Sequence, residues 1–335
     1  MEDRSAVDAL YARVFGSDAA AAYRSRWEWL YARNPNLRDG APLIWLAREG
    51  EMIVGQYATM PVKLSVNGQE IDAAWGMDVM IAPEGQRKGL GRILFETWDG
   101  NVGAAIGLSL TDASNALFEK MNWPLIGRVP RLAKPLSPAV LDDWGGPDRL
   151  RGKLVLQWRR LMATLVAPRR VREITHFDDS FTRLWERVAP RFAFAARRDA
   201  TYLNWKYLQT PHVKYSVAAL MRNADAAGYV VIRHVQEPRW KVTLLVDFLA
   251  DPADTNALTT LLRWVDRQAL RAGSDVVRVL TTNAAFGATL RASGYRAGKA
   301  TMRFVAKINA VPVAPSYYQS TDRWHITLGD SDADR

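Results

Sequence analysis

The stretch from Ala73 to Asn101 most narrows what this chain can fold into. "AAWGMDVMIAP", Ala73 to Pro83, is a nearly unbroken apolar run of strand length that stops at a proline, the pattern of a strand buried inside a sheet. Gln86-Arg87-Lys88-Gly89-Leu90-Gly91 follows, and Arg92-Ile93-Leu94-Phe95 opens an amphipathic helix expected to run to Asn101. Two glycines let the backbone come close to a ligand. The first N–H groups of a helix lack partners inside it and lie at the positive end of its dipole. Strand, glycine loop and helix in that order make an anion site, with phosphate as the usual guest. The alternative is an ordinary strand–turn–helix connection whose Arg87 and Lys88 face water.

The flanks extend the pattern. "LIWLARE", "EMIVGQYATMPVKLSV" and "EIDAAWGMDVMI" read as consecutive strands, the last two joined by an Asn67-Gly68 hairpin turn. After the helix come a short apolar strand, "AAIGLSL", and a second short helix, "DASNALFEKM". This order resembles that of the GNAT acyltransferases. Gln86 to Gly91 resembles their Gln/Arg-x-x-Gly-x-Gly/Ala pyrophosphate loop, and "FEKMNW", Phe118 to Trp123, resembles the Tyr-Glu-Lys-x-Gly-Phe ending of their next motif. The two matches span roughly residues 40–135.

The resemblance implies an α/β (α+β) fold built on a mixed, mostly antiparallel sheet flanked by helices. It implies an enzyme that moves an acyl group from a CoA thioester to an amine, with acetyl-CoA or another acyl-CoA as co-substrate and no metal. Carried over residue by residue, it assigns the pyrophosphate to Gln86, Arg87, Lys88, Gly89, Leu90, Gly91 and Arg92. Met80, Ile81 and Ala82 offer strand backbone to the pantetheine arm. Thr111 stands where the family has an asparagine, with Asn115 as a nearby polar substitute. Phe118 stands where the family has a tyrosine that protonates the leaving thiolate, and phenylalanine has no proton to give. Tyr57, on a strand expected to face the cleft, is an alternative acid. Asp78, the acid inside the strand that leads into the loop, is the candidate general base, with a structural role as the equal alternative.

The second half echoes the first. Trp29-x-Tyr31-x-x-x-Pro35 matches Trp205-x-Tyr207-x-x-x-Pro211; Asp78 and Asp247 each stand five residues before a proline; Asn122-Trp123 corresponds to Gly294-Tyr295. The offsets, 176, 169 and 172 residues, argue for a duplicated domain. The expected organisation is a GNAT-like domain over 1–140, a basic amphipathic connector over 141–175 and a degenerate GNAT-like domain over 176–335. In the second copy Asp251 and Asp254 replace the glycine loop, where they would cap the helix and repel a pyrophosphate.

Composition limits the remaining choices. The net charge is +10, which favours anionic partners: CoA phosphates, nucleic acid or an anionic membrane. No helix-turn-helix, zinc-finger or RNP-type motif accompanies the charge, so nucleic acid is not expected. There is no cysteine, and His176, His212, His234 and His325 show no metal-ligand spacing. No run of 18 apolar residues occurs, and the charged amino terminus does not read as a secretion signal, so a cytoplasmic protein is expected. Residues 151–172 carry seven Lys or Arg and no acid, with Leu154, Trp158, Leu161 and Leu165 on one helical face. That face either packs between domains or meets an anionic membrane at its inner surface. An amino sugar or an amine-bearing lipid is the expected acceptor. Long-chain acylation of a lipid amine, and a non-catalytic protein that keeps CoA affinity, are the alternatives.

Overall fold

The structure is a computed structural model that describes residues 3–123, 125–144, 157 and 170–332. The connector reading on residues 151–172 lies almost entirely outside them. Two compact units divide the chain, and neither is one continuous stretch. Unit 1 takes residues 1–127, 209–214 and 303–320; unit 2 takes 128–208, 215–302 and 321–335.

In unit 1, α1 (Arg4–Phe15) and α2 (Ser17–Trp27) lead through a single π-turn, Glu28–Ala32, to β1 (Ile44–Glu49), β2 (Met52–Val66) and β3 (Gln69–Ile81). These three strands form an antiparallel meander. Asn67 and Gly68 turn the β2–β3 hairpin with φ of 49° and 86°, the left-handed pair a two-residue turn of this type requires. α3 (Leu90–Asn101), β4 (Ala104–Leu108) and α4 (Asp112–Lys120) follow. β4 lies parallel to β3, and its other edge takes a strand from far along the chain, the Phe304–Ile308 part of β12 (Arg296–Ile308). Tyr57, Phe95, Trp98, Phe118 and Trp123 fill the core under α3, with ring centroids 4.3–5.7 Å apart. Burying five such rings is the largest single apolar contribution to this unit.

Unit 2 repeats the order. β5 (Leu125–Pro135), α5 (Pro138–Trp144) and β6 (Val171–Glu173) precede α6 (Asp179–Val188), β7 (Phe194–Ala196) and α7 (Ala200–Leu203). A second π-turn, Asn204–Leu208, comes next. The antiparallel strands β8 (Ser216–Arg222), β9 (Asp225–Gln236) and β10 (Lys241–Ala250) then lead to α8 (Thr255–Arg271), β11 (Val276–Leu280) and α9 (Ala284–Ala292). β11 lies parallel to β10 and antiparallel to β5. So in each unit the strand beside the parallel one comes from the other half of the sequence.

Both π-turns carry the Trp-x-Tyr marker, and both ends of the matched helices turn through a left-handed residue, Asn122 (φ 53°) and Gly294 (φ 95°). The following N–H groups, of Trp123 and Tyr295, then reach back to Phe118 and Leu290, the six-to-one closure of a Schellman end. No helix among the described residues is long and apolar enough to cross a membrane.

Candidate functional site

The site in unit 1 begins with a break in the sheet. β3 pairs with β4 at only two positions, Ala74 with Ala105 and Trp75 with Ile106. Beyond them β3 continues to Ile81 bonded to β2 on one side, and its other edge has no strand partner among the described residues. A β-bulge accompanies the break: Met77 pairs with Ala58 and Met80 with Gln56, so Asp78 and Val79 together face one residue of β2. Asp78 sits at φ 43°. A bulge bends its strand and sharpens the local twist, which carries the end of β3 away from β4 and leaves Met80, Ile81 and Ala82 on an open edge.

That edge runs into the glycine loop. Gly89 caps α3 at φ 80°, and Arg87 is also left-handed at φ 62°. Left-handed residues within a turn bring neighbouring N–H groups to one side of the chain. The amide hydrogens of Gln86 and Arg92 are bonded, to the carbonyls of Pro83 and Gly89. Those of Arg87, Lys88, Gly89, Leu90 and Gly91, between them, find no acceptor among the described residues. A Cβ at Gly91 would meet nothing nearer than Leu117 at 3.9 Å, so space remains in front of the helix. The structure therefore brings Met80 to Ala82 and Gln86 to Arg92 together. Lys88 is ion-paired with Glu49, and Arg92 with Glu96 on its own helix.

The other carried-over positions fare differently. The Thr111 hydroxyl caps α4 by accepting from the Ser114 N–H at 3.1 Å, and the Asn115 amide donates to Glu119 at 2.7 Å. Phe118 is buried edge-on against Phe95, 4.3 Å away. Tyr57 does not face the cleft: it stacks on Trp98 in the core at 4.8 Å. Burial, with Asp99 nearby, pushes its hydroxyl well above the ordinary tyrosine range. Alternation along a strand tells which residues share a face but not which face is inside, and at this position the expected direction is reversed.

Asp78 is held on both carboxylate oxygens. Arg26 of α2 donates to Oδ1 at 2.5 Å, and Tyr31 of the π-turn donates to Oδ2. The bulge's own carbonyl accepts from Gln56 at 3.1 Å. The side chains of Arg26 and Asp78 are 6% and 7% exposed, so this is a buried ion pair. Burial, then the neighbouring Asp78 charge, pushes the Tyr31 hydroxyl well above its ordinary value, which keeps it a donor. Arg26 and Tyr31 were not singled out as site residues. A signal did exist for Tyr31: it belongs to the same repeated marker set as Asp78.

Asp247 of unit 2 stands beside a bulge of β10, where Val246 is the extra residue and Asp247 itself pairs with Val231. It accepts from Arg198, from Tyr229 at 2.8 Å and from Thr327 at 2.9 Å, all buried. Arg198 also donates to Asp330 at 2.6 Å.

Residues 2–110 match the family model of the GNAT acetyltransferase domain. No curated protein matches the sequence. Among solved structures, a GCN5-related N-acetyltransferase from Anabaena variabilis has a TM-score of 0.61 at 13% identity, over 92% of this chain and 71% of that one. One from Kribbella flavida has 0.60 at 15% identity, over 93% and 71%. The N-myristoyltransferase of Saccharomyces cerevisiae, crystallised with myristoyl-CoA, has 0.56 at 14% identity, over 92% and 76%. The chain thus carries a GNAT acetyltransferase domain over residues 2–110 and has the fold of GNAT acyl-CoA-dependent acyltransferases.

Proposed function

We propose that unit 1 transfers an acyl group from a CoA thioester to an amine. The observation that carries this reading is the run of unpartnered N–H groups from Arg87 to Gly91 at the end of a strand whose outer edge is open. The diphosphate lies on those N–H groups with Arg87 as added charge, and the pantetheine arm pairs with the edge at Met80–Ala82. The amine nitrogen attacks the thioester carbon, the C–S bond of the tetrahedral intermediate breaks, and the amine loses its proton to solvent. Backbone N–H groups along the β3 edge are the donors available to the oxyanion. With Phe118 in the core, the thiolate takes its proton from water.

Asp78 we assign first to position and not to proton transfer. A carboxylate that holds both Arg26 and Tyr31 would have to release one of them to act as a base, and its observed work is to fix the bulge. The packed rings beneath α3 support a short acyl group, acetyl, as the donor. Amino sugars and amine-bearing lipids remain the acceptor classes to try first. The parallel bulges, π-turns and helix ends support descent of the two units from one duplicated domain, the second without CoA. Adding acyl-CoAs of increasing chain length with a panel of amines, and following thiol release, tests the reading. Release with acetyl-CoA, lost in Gly89→Asp, is expected. CoA binding without thiol release from any donor and amine would leave a non-catalytic CoA-binding protein instead.

A further inference from the structure

Unit 2 contains a cavity of about 920 Å³ that acyl transfer does not use. Its floor comes from one face of two paired strands. Ala133 of β5 lies directly opposite Arg278 of β11, and Val276 lies two residues along that face. Val140 and Trp144 of α5 and Trp240, just ahead of β10, form the apolar walls; Arg131, Arg278 and Arg296 supply the charge. Its size falls in the range of small-molecule sites.

Among the described residues the lining side chains are of two kinds, guanidinium and hydrocarbon or indole. Their polar groups are therefore all donors and none is an acceptor, which suits an anion. The charge is not cancelled. Arg278 is paired with Glu237, and Arg239, which lies over the Trp240 ring, is paired with Asp143. Arg131 and Arg296 have no carboxylate partner among the described residues. Trp144 is 38% exposed, an indole left at the mouth. Two uncompensated guanidiniums over an apolar floor suit a ligand with an anionic head and a body that makes no hydrogen bonds.

We propose that this cavity binds a free amphiphilic anion, a carboxylate or phosphate carried on a single acyl or aryl body. The proposal stands independently of the acyltransfer reading, because every lining residue lies in unit 2. Titration calorimetry of the full chain with monomeric dodecyl phosphate and with laurate tests it. Saturable binding is expected, with dodecanol much weaker. Arg131→Ala combined with Arg296→Ala is expected to weaken binding about tenfold or more, since a hydrogen bond to a charged group is worth roughly that factor. Both arginines are exposed, so the melting temperature should hold, and Trp144→Ser gives a second, uncharged test. Gly89→Asp should leave this binding intact, which separates it from the CoA site. No binding by the parent, binding unchanged in the double variant, or equal binding of dodecanol would each overturn the proposal. So would capture by phosphatidylglycerol vesicles without binding of the monomeric amphiphile, which would assign the charge to a membrane surface.

Discussion

Two loops occupy the same place in the two units, and they are opposites. Each follows a strand with a bulge, at Asp78 in β3 and next to Asp247 in β10, each precedes a helix, and in each the parallel pairing stops early: after Trp75 in β3, and after Leu245 in β10. In unit 1 the loop leaves the N–H groups of Arg87 to Gly91 without acceptors. In unit 2 the chain supplies its own. Asp251 accepts from the Ala253 N–H and Asp254 from the Ala257 N–H, each at 2.9 Å, while Arg222 is ion-paired with Asp254. The opening between the strands is therefore a property of the fold, set by the bulge. Anion binding is a separate property, set by whether the helix end is left for a guest. A carboxylate at the N-cap and a bound phosphate compete for the same donors.

The bulge gives the largest expected effect. Asp78→Asn removes the Asp78 charge from the buried pair with Arg26, and breaking one side of a buried pair costs about 3–5 kcal/mol. A large fall in melting temperature is expected, with whatever turnover remains in the folded fraction keeping its pH profile. An unchanged melting temperature with kcat reduced a hundredfold or more would instead make Asp78 the base. Next comes the loop. Gly89→Asp puts a side chain and a negative charge where φ is +80° and phosphate must sit, so CoA affinity should fall about a hundredfold, close to 3 kcal/mol. The folded state should lose only about 1 kcal/mol. Calorimetry on the parent should give one CoA per chain, and a second equivalent site would erase the contrast between the loops. The smallest effect belongs to the other loop. Asp254→Ala removes an N-cap worth about 1 kcal/mol and should not create CoA binding, because no glycine pair stands ahead of α8. A gain of CoA binding would show that the carboxylate alone had closed the site.

Much of this was legible from residue order. The apolar run to Pro83, Asn67-Gly68, Gly89-x-Gly91 and the helix expected from Arg92, which begins one half-turn earlier at Leu90, are local patterns, and local backbone chemistry fixes them. The helix-capping role of Asp254 was readable for the same reason, whereas Asp251, expected to share it, bonds the Ala253 N–H in the loop ahead of the helix. What was not legible depends on partners distant in sequence. Nothing around Asp78 announces that Arg26 will close on it, the repeat links Tyr31 to Asp78 only as a marker and not as a partner, and nothing in β2 says that Tyr57 turns under Trp98. Nor does the sequence of a closing strand say which of two similar β edges it will join. β12 meets β4 with Arg303 paired to Asp112 and Lys307 to Asp99, partners that lie about two hundred residues apart in the sequence.

That last choice has a consequence for how the protein is made. β4 ends at Leu108, but the strand that covers its outer edge begins to pair at Phe304. A ribosome adding about 5–20 residues per second needs roughly 10–40 seconds to travel between them. During that interval the nascent amino-terminal half exposes the unpaired edge of β4, and Gly107, against which Val305 will later pack, has no cover. An open edge of this kind is a template for pairing with another chain. Nascent chains on one message, or a product truncated before Arg303, would each present it, so β12 is also what closes that edge to other chains.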